Sequence, residues 1–189
     1  MENKRVIVVG VLPLLHREVT PMVASPIEVM SREPAEFSDL EIHDFMAFVV
    51  AGGEVAVAGL EKRIRSAARL AFLFVGSTFS GVAALKRPEA VYRDSVASKA
   101  KVPLPKKDFP YELGYVFVMP STRRRGFSFD LAQEALVSAR GKGVFATTRT
   151  NNGAMQATLE KCKFKAQGRP YPSTLGTGKL QLFVRPSDQ

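Results

Sequence analysis

Three consecutive arginines and a glycine stand between an apolar run and a helix-forming run, in Glu112-Leu-Gly-Tyr-Val-Phe-Val-Met-Pro-Ser-Thr-Arg-Arg-Arg-Gly-Phe-Ser128. A strand that feeds such a loop directly into a helix makes an anion site. Free N–H groups of the first helical turn converge there, the helix dipole adds partial positive charge, and Gly126 lets the backbone come close to a ligand. The spacing lacks the Gly-x-x-x-x-Gly-Lys-Ser/Thr of a nucleotide P-loop and the Gly-x-Gly-x-x-Gly of a dinucleotide site, which argues against both. Other reactive side chains are scarce. One cysteine, Cys162, allows no internal disulfide or cysteine-rich metal site, and two isolated histidines, His16 and His43, do not make a zinc site. Cys162 has no histidine or carboxylate near it in sequence and reads as a buried, inert thiol. The histidines read as structural or surface residues.

The elements that must position this loop follow from periodicity. Leu113 to Val118 reads as a strand stopped by Pro120, and Gly126 opens a helix through about Arg140 with Leu131, Ala132, Ala135, Leu136 and Ala139 inward. Gly141 and Gly143 close it, Val144 to Thr150 is a strand, and Asn152 caps a helix ending near Cys162. A strand from Phe164 and a final strand, Leu180 to Val184, pair across a turn region spanning 170–178. Upstream, Leu70 to Val75 and Gly81 to Lys86 read as a hairpin, with Phe72, Phe74 and Phe79 in its core and turn. Ser38 with Glu41 is a capping box that opens a helix, and a second helix is expected over 54–68 with Val57, Leu60, Ile64 and Ala67 on one face. Val6 to Val11 reads as a buried strand and not a signal peptide, because Pro13 breaks the run and His16, Arg17 and Glu18 follow it. Residues 88–109 read as a long basic loop. A mixed, mostly antiparallel twisted α/β sheet flanked by helices follows, in a single domain over 1–189 with a loop insertion over 88–109.

Composition bounds the function. The chain has 189 residues, is 46% hydrophobic and 24% charged, and carries a net charge of +9. These values suit an ordinary globular domain and argue against a disordered or membrane-spanning chain; a cytoplasmic location is expected. Residues 1–60 hold 4 basic and 9 acidic side chains, residues 61–120 hold 11 and 5, and residues 121–189 hold 12 and 4. That asymmetry points to an anionic partner for the later two-thirds, either nucleic acid or a polyphosphate-bearing small molecule. There is no recognisable DNA- or RNA-binding motif, and aromatics are not interleaved with the basic runs, which argues against nucleic acid.

At the anion loop the sequence resembles the GNAT superfamily of acetyl-CoA-dependent N-acyltransferases. Arg123-Arg124-Arg125-Gly126-Phe127-Ser128 matches that family's Arg/Gln-x-x-Gly-x-Gly/Ala, with serine in the last place, and Val118-Met119-Pro120 matches its Val-x-Pro approach. Downstream, Asn152 to Met155 and Leu159 to Phe164 resemble its second motif. The matched part, 111–164, is the cofactor-binding half; the N-terminal likeness is one of element order only.

The resemblance implies an N-acyltransferase that moves an acetyl group from acetyl-CoA to a primary amine by direct attack, with no metal. The CoA pyrophosphate would sit on backbone N–H groups of Arg124 to Ser128, with Arg123, Arg124 and Arg125 adding charge. The pantetheine arm would run along Phe117, Val118 and Met119, with Asn152 beside it. Glu112, eleven positions before Arg123, would be the general base, because an ammonium must lose a proton before it can attack a thioester. Two departures stand out. Leu159 falls where the family often has a tyrosine that protonates the leaving thiolate, leaving Tyr115, Tyr171 or water for that role. Lys163 stands where the family has glycine, and a left-handed conformation there would cost about 1–2 kcal/mol. The Lys99–Lys107 run is a CoA 3′-phosphate clamp, a lid or a solvated stretch. The rival readings are a non-catalytic GNAT-like CoA-binding or regulatory module and a nucleic-acid-binding protein; the amine acceptor stays open, as does a homodimer.

Overall fold

A computed structural model describes residues 26–187, so the strand expected at Val6 to Val11 and the place of His16 lie outside the described residues. The described residues form seven strands: β1 (Ile27–Arg32), β2 (Arg69–Val75), β3 (Thr78–Lys86), β4 (Tyr111–Val118), β5 (Val144–Arg149), β6 (Lys165–Pro172) and β7 (Lys179–Arg185). They form one sheet in the order β1-β2-β3-β4-β5-β7-β6. Each neighbouring pair is antiparallel except β4 and β5. The mixed, mostly antiparallel sheet expected from the sequence is therefore present.

Period-2 alternation sends the strands' side chains to two cores. Ala71, Leu73, Ala83, Leu85, Val144 and Ala146 face α4 (Phe127–Leu136) and α5 (Gly153–Lys161), which contribute Leu131, Ala135 and Leu159. On the other face Leu70, Phe72, Val82 and Ala84 meet α1 (Asp39–Ala51) and α2 (Leu60–Arg65), through Ile42, Phe45, Leu60 and Ile64. The same face continues over Phe145, Leu182 and Val184, where α3 (Ala90–Ala100) covers it with Val96 and Ala100. The Ser38 capping box is formed: Glu41 N–H donates to Ser38 Oγ at 3.3 Å, and Ser38 N–H donates to Glu41 Oε2 at 2.8 Å. Such a cap stabilises a helix by about 1 kcal/mol.

Four expectations are corrected. The 88–109 segment is not a loop throughout but holds α3, whose buried stripe is Arg93, Val96 and Ala100. An arginine at the head of the stripe and prolines on both sides hid the period. Gly168 of β6, at φ +67°, lies against this helix: a Cβ there would meet Ala100 O at 2.1 Å, so only glycine permits the docking. The expected 54–68 helix shrinks to α2, and Val57 is exposed. The α4 helix stops at Leu136, and a 3-10 turn carries the chain to Ala139. Finally β1 occupies Ile27–Arg32, between Pro26 and Pro34, where the sequence reading placed no element.

Cys162 is buried at the end of α5, and burial pushes its thiol up to about 11, against a smaller opposing pull from Arg185. At pH 8 the thiolate fraction is then about 10⁻³. Thiol reagents are expected to leave the native chain unmodified at pH 8 and to label Cys162 once the chain is unfolded. Rapid labelling of the folded chain would contradict this packing.

Candidate functional site

The β4–β5 pairing is two residues long, Tyr111↔Val144 and Glu112↔Phe145. Beyond it, among the described residues, β5 pairs only with β7, and no residue of β4 after Glu112 pairs with β5. Two parallel strands that part in the middle of a sheet leave a wedge between them, with backbone groups of β4 lacking a strand partner on that side. A bulge reshapes the same strand. Val82↔Phe117 and Ala84↔Gly114 set two steps of β3 against three of β4, and Tyr115 takes φ +56°. For a non-glycine residue this conformation costs on the order of 1–3 kcal/mol, and Phe45, 6.4 Å away and edge-on, helps to hold the ring.

At the open end of the wedge lies the arginine loop. A 3-10 turn over Pro120–Thr122 leads to Arg124 at φ +63° and Gly126 at φ +87°, the residue that precedes α4. Among the described residues nothing accepts a hydrogen bond from the backbone N–H of Arg124, Arg125, Gly126, Phe127 or Ser128. Among the described residues no atom lies within 4 Å of a Cβ built at Gly126, so the Cβ side of this glycine is open. Arg123 is turned back: its Nε donates to Val118 O at 2.9 Å and its guanidinium sits 5.6 Å from the Phe117 ring. Arg125 lies 4.8 Å from the Phe127 ring, and no carboxylate among the described residues pairs with any of the three.

The other expected residues fall around this loop. Phe127 contributes only its backbone, since its side chain is buried in the core. Ser128, the departure from the family pattern, shares a 2.9 Å hydrogen bond with Thr158 and so ties α4 to α5. Asn152 caps α5, its Oδ1 accepting from Met155 N–H at 3.1 Å, which leaves its amide nitrogen free. Met119 N–H is taken by Ser80 O at 2.9 Å, so the free edge of β4 lies before Val118 and not at Met119. Lys163 adopts φ +66°, and Phe164 N–H donates to Leu159 O at 3.0 Å across it. Leu159 is fully buried. His43 and the lysines from Lys99 to Lys107 are exposed.

Glu112 lies at the closed end of the wedge, only 3% exposed. Its Oε1 accepts from Tyr92 Oη at 2.9 Å, and Lys86 Nζ is 2.7 Å from Oε2 as an ion pair rather than an aligned hydrogen bond. Burial, and then the Glu112 charge, hold the Tyr92 hydroxyl well above the usual phenol range, although the ring edge reaches solvent. The Tyr171 hydroxyl is buried without a partner and is pushed up to about 12, first by burial and then by Glu112. Tyr171 belongs to β6, not to the turn beyond it. Sequence reasoning missed Lys86 and Tyr92. Lys86 faces Glu112 only through the β3–β4 register, and Tyr92 lay in the segment read as a loop. Arg149 was also missed. Its Nη atoms donate to Thr177 O and Leu175 O at 2.6 Å, and its Nε is 2.7 Å from Glu54 Oε1, beyond the end of α1.

No family model matches the sequence, and no curated protein matches it. Its architecture does have matches. The chain superposes on YncA of Salmonella typhimurium, described as an acetyltransferase and solved with acetyl-CoA, at TM-score 0.57 and 13% identity, over 86% of this chain and 95% of that one. The ribosomal-protein-S18-alanine N-acetyltransferase of Escherichia coli matches at TM-score 0.58 and 15% identity, over 87% and 96%. A GNAT-family acetyltransferase of Streptococcus pneumoniae matches at 0.60 and 12%, over 86% and all of that chain. The chain has the GNAT fold. In this chain α3 covers the sheet face carrying Phe145, Leu182 and Val184, and its Tyr92 reaches Glu112.

Removing one member of a buried ion pair leaves an uncompensated charge. Lys86→Met is expected to lower unfolding stability by about 3 kcal/mol, and adding Glu112→Leu is expected to restore much of the loss. Denaturant unfolding of the two single variants and the double variant checks this; additive losses would show that the pair is not coupled.

Proposed function

We propose that the chain is an acetyl-CoA-dependent N-acetyltransferase acting on a primary amine in a ternary complex. The observation that carries the reading is the wedge between β4 and β5, with unclaimed N–H donors of Arg124 to Ser128 at its open end and a buried carboxylate at its closed end. In this reading the pyrophosphate of acetyl-CoA binds the N-terminus of α4, helped by Arg124 and Arg125. The pantetheine arm lies along the free edge of β4 from Leu113 to Phe117 as an added strand, with the Asn152 amide beside it. The thioester end then comes down toward Glu112. Glu112 takes the proton of the acceptor ammonium, directly or through water; the free amine attacks the carbonyl carbon, the C–S bond breaks, and CoA leaves as a thiolate that takes up a proton. Positioning in the wedge supplies the rest of the rate enhancement.

A second reading, a CoA-binding module without catalysis, is favoured by one observation: Lys86 already neutralises Glu112. Release of free thiol from acetyl-CoA in the presence of an amine panel separates the two.

Two variants test the site. Gly126→Val fills the open space on the Cβ side of this glycine and forces a β-branched residue into φ +87°. It should abolish acetyl-CoA binding by calorimetry while the far-ultraviolet spectrum of the fold persists; unchanged affinity in a folded variant would remove the pyrophosphate from this loop. Glu112→Gln keeps shape but not basicity. Turnover near neutral pH should fall by about 10²–10⁴-fold with acetyl-CoA affinity kept, and the deficit should shrink as pH rises because more acceptor arrives deprotonated. Wild-type turnover with an unaltered pH profile would assign the chemistry to positioning alone.

A further inference from the structure

The ammonium of Lys86 is placed where an acceptor amine would have to be. Lys86 ends β3 opposite Glu112, and its Nζ lies 2.7 Å from the Glu112 carboxylate. The stem crosses Gly114 of β4: a Cβ built there would lie 3.1 Å from both Cε and Nζ. The lysine therefore runs along β4 toward the bulge, not outward to solvent, and its side chain is only 18% exposed. Aromatic faces flank the ammonium, Tyr115 at 4.7 Å and Tyr92 at 5.6 Å from Nζ. A carboxylate and two ring faces are what a protein offers a cation it binds. Tyr115 is also the strained residue of the bulge, so this cage sits at the point where β4 leaves its regular register.

We propose that Lys86 is an acetyl acceptor within the chain itself, modified on Nζ by an acyl-CoA thioester bound in the wedge. The proposal rests on the acetyl-CoA reading of that wedge. Glu112 takes one proton from the Lys86 ammonium, and the nitrogen lone pair attacks the thioester carbonyl carbon. The C–N bond forms, the C–S bond breaks, and its electron pair leaves on the CoA sulfur. The sulfur receives the proton held by Glu112, and the second nitrogen proton passes to solvent. An ammonium and a thioester thus become a neutral amide, a thiol and one proton. The amide removes the positive charge beside Glu112, so an external ammonium then finds the carboxylate unpaired.

The test uses the full chain and acetyl-CoA with no added amine. Intact mass should rise by one acetyl group, and peptide mapping should place it on Lys86. The rate should not depend on protein concentration, as expected for transfer within one chain. Lys86→Arg keeps the positive charge and should gain no acetyl group, and Glu112→Gln should slow the gain by about 10²–10⁴-fold. Heat-unfolded chain serves as the control for uncatalysed acylation. A chain that binds acetyl-CoA by calorimetry but stays unmodified at Lys86 overturns this proposal alone. So does equal labelling of folded and unfolded chain, or equal mass gain in wild type and Lys86→Arg. A chain that does not bind acetyl-CoA overturns this proposal together with the reading of the wedge.

Discussion

The short parallel contact between β4 and β5 is the constraint on which the rest depends. Two paired residues on each strand keep the sheet continuous from β1 to β6, while the remainder of both strands is free to diverge. Longer pairing would close the wedge, and none would split the sheet into two halves. The edges opened by divergence would ordinarily have to be satisfied. β5 is held on its far side by pairing with β7 along its whole length, which leaves its wedge-facing groups without a strand partner among the described residues. β4 is held likewise by β3, at the expense of one extra residue and a tyrosine in the left-handed region. Strain at Tyr115 and vacancy beside β4 are thus two aspects of one arrangement.

Charge is sorted along the same wedge. Its open end carries uncompensated arginines and helix N–H donors; its closed end carries a carboxylate with one lysine and one tyrosine hydroxyl. The open end would therefore draw an anionic group, whereas at the closed end the carboxylate is already paired with the Lys86 ammonium. Low accessibility at Glu112 strengthens every electrostatic interaction there, because little water screens it.

Much of this was legible in the sequence where one element alone decides the outcome. The capping box at Ser38 and Glu41 and the strand–loop–helix around Gly126 each rest on local chemistry, and each formed as read. What was hidden depends on register or on tertiary burial. Lys86 acquires meaning only from the residue across from it, and nothing in its neighbours along the chain announces Glu112. The α3 helix shows a weak apolar period because it buries Arg93, only 4% exposed, alongside Val96 and Ala100, and an arginine does not register as hydrophobic. β1 was obscured by flanking prolines that bound it without interrupting it.

Arg149 has a mechanical consequence. Two of its donors fasten it to carbonyls of the β6–β7 connection, and the third reaches Glu54 beyond α1. Since Gly52 at the end of α1 lies against Phe117 of β4, this side chain crosses from the β5 bank of the wedge to the β4 bank. The Arg149 side chain is 19% exposed, whereas Glu54 is 54% exposed. An ion pair with so wet a partner is weak, and salt weakens it further. The crossing therefore works as a tether anchored firmly on one bank and moored loosely on the other. Thermal motion is enough to cast it off, and ionic strength sets how long the gap stands unspanned.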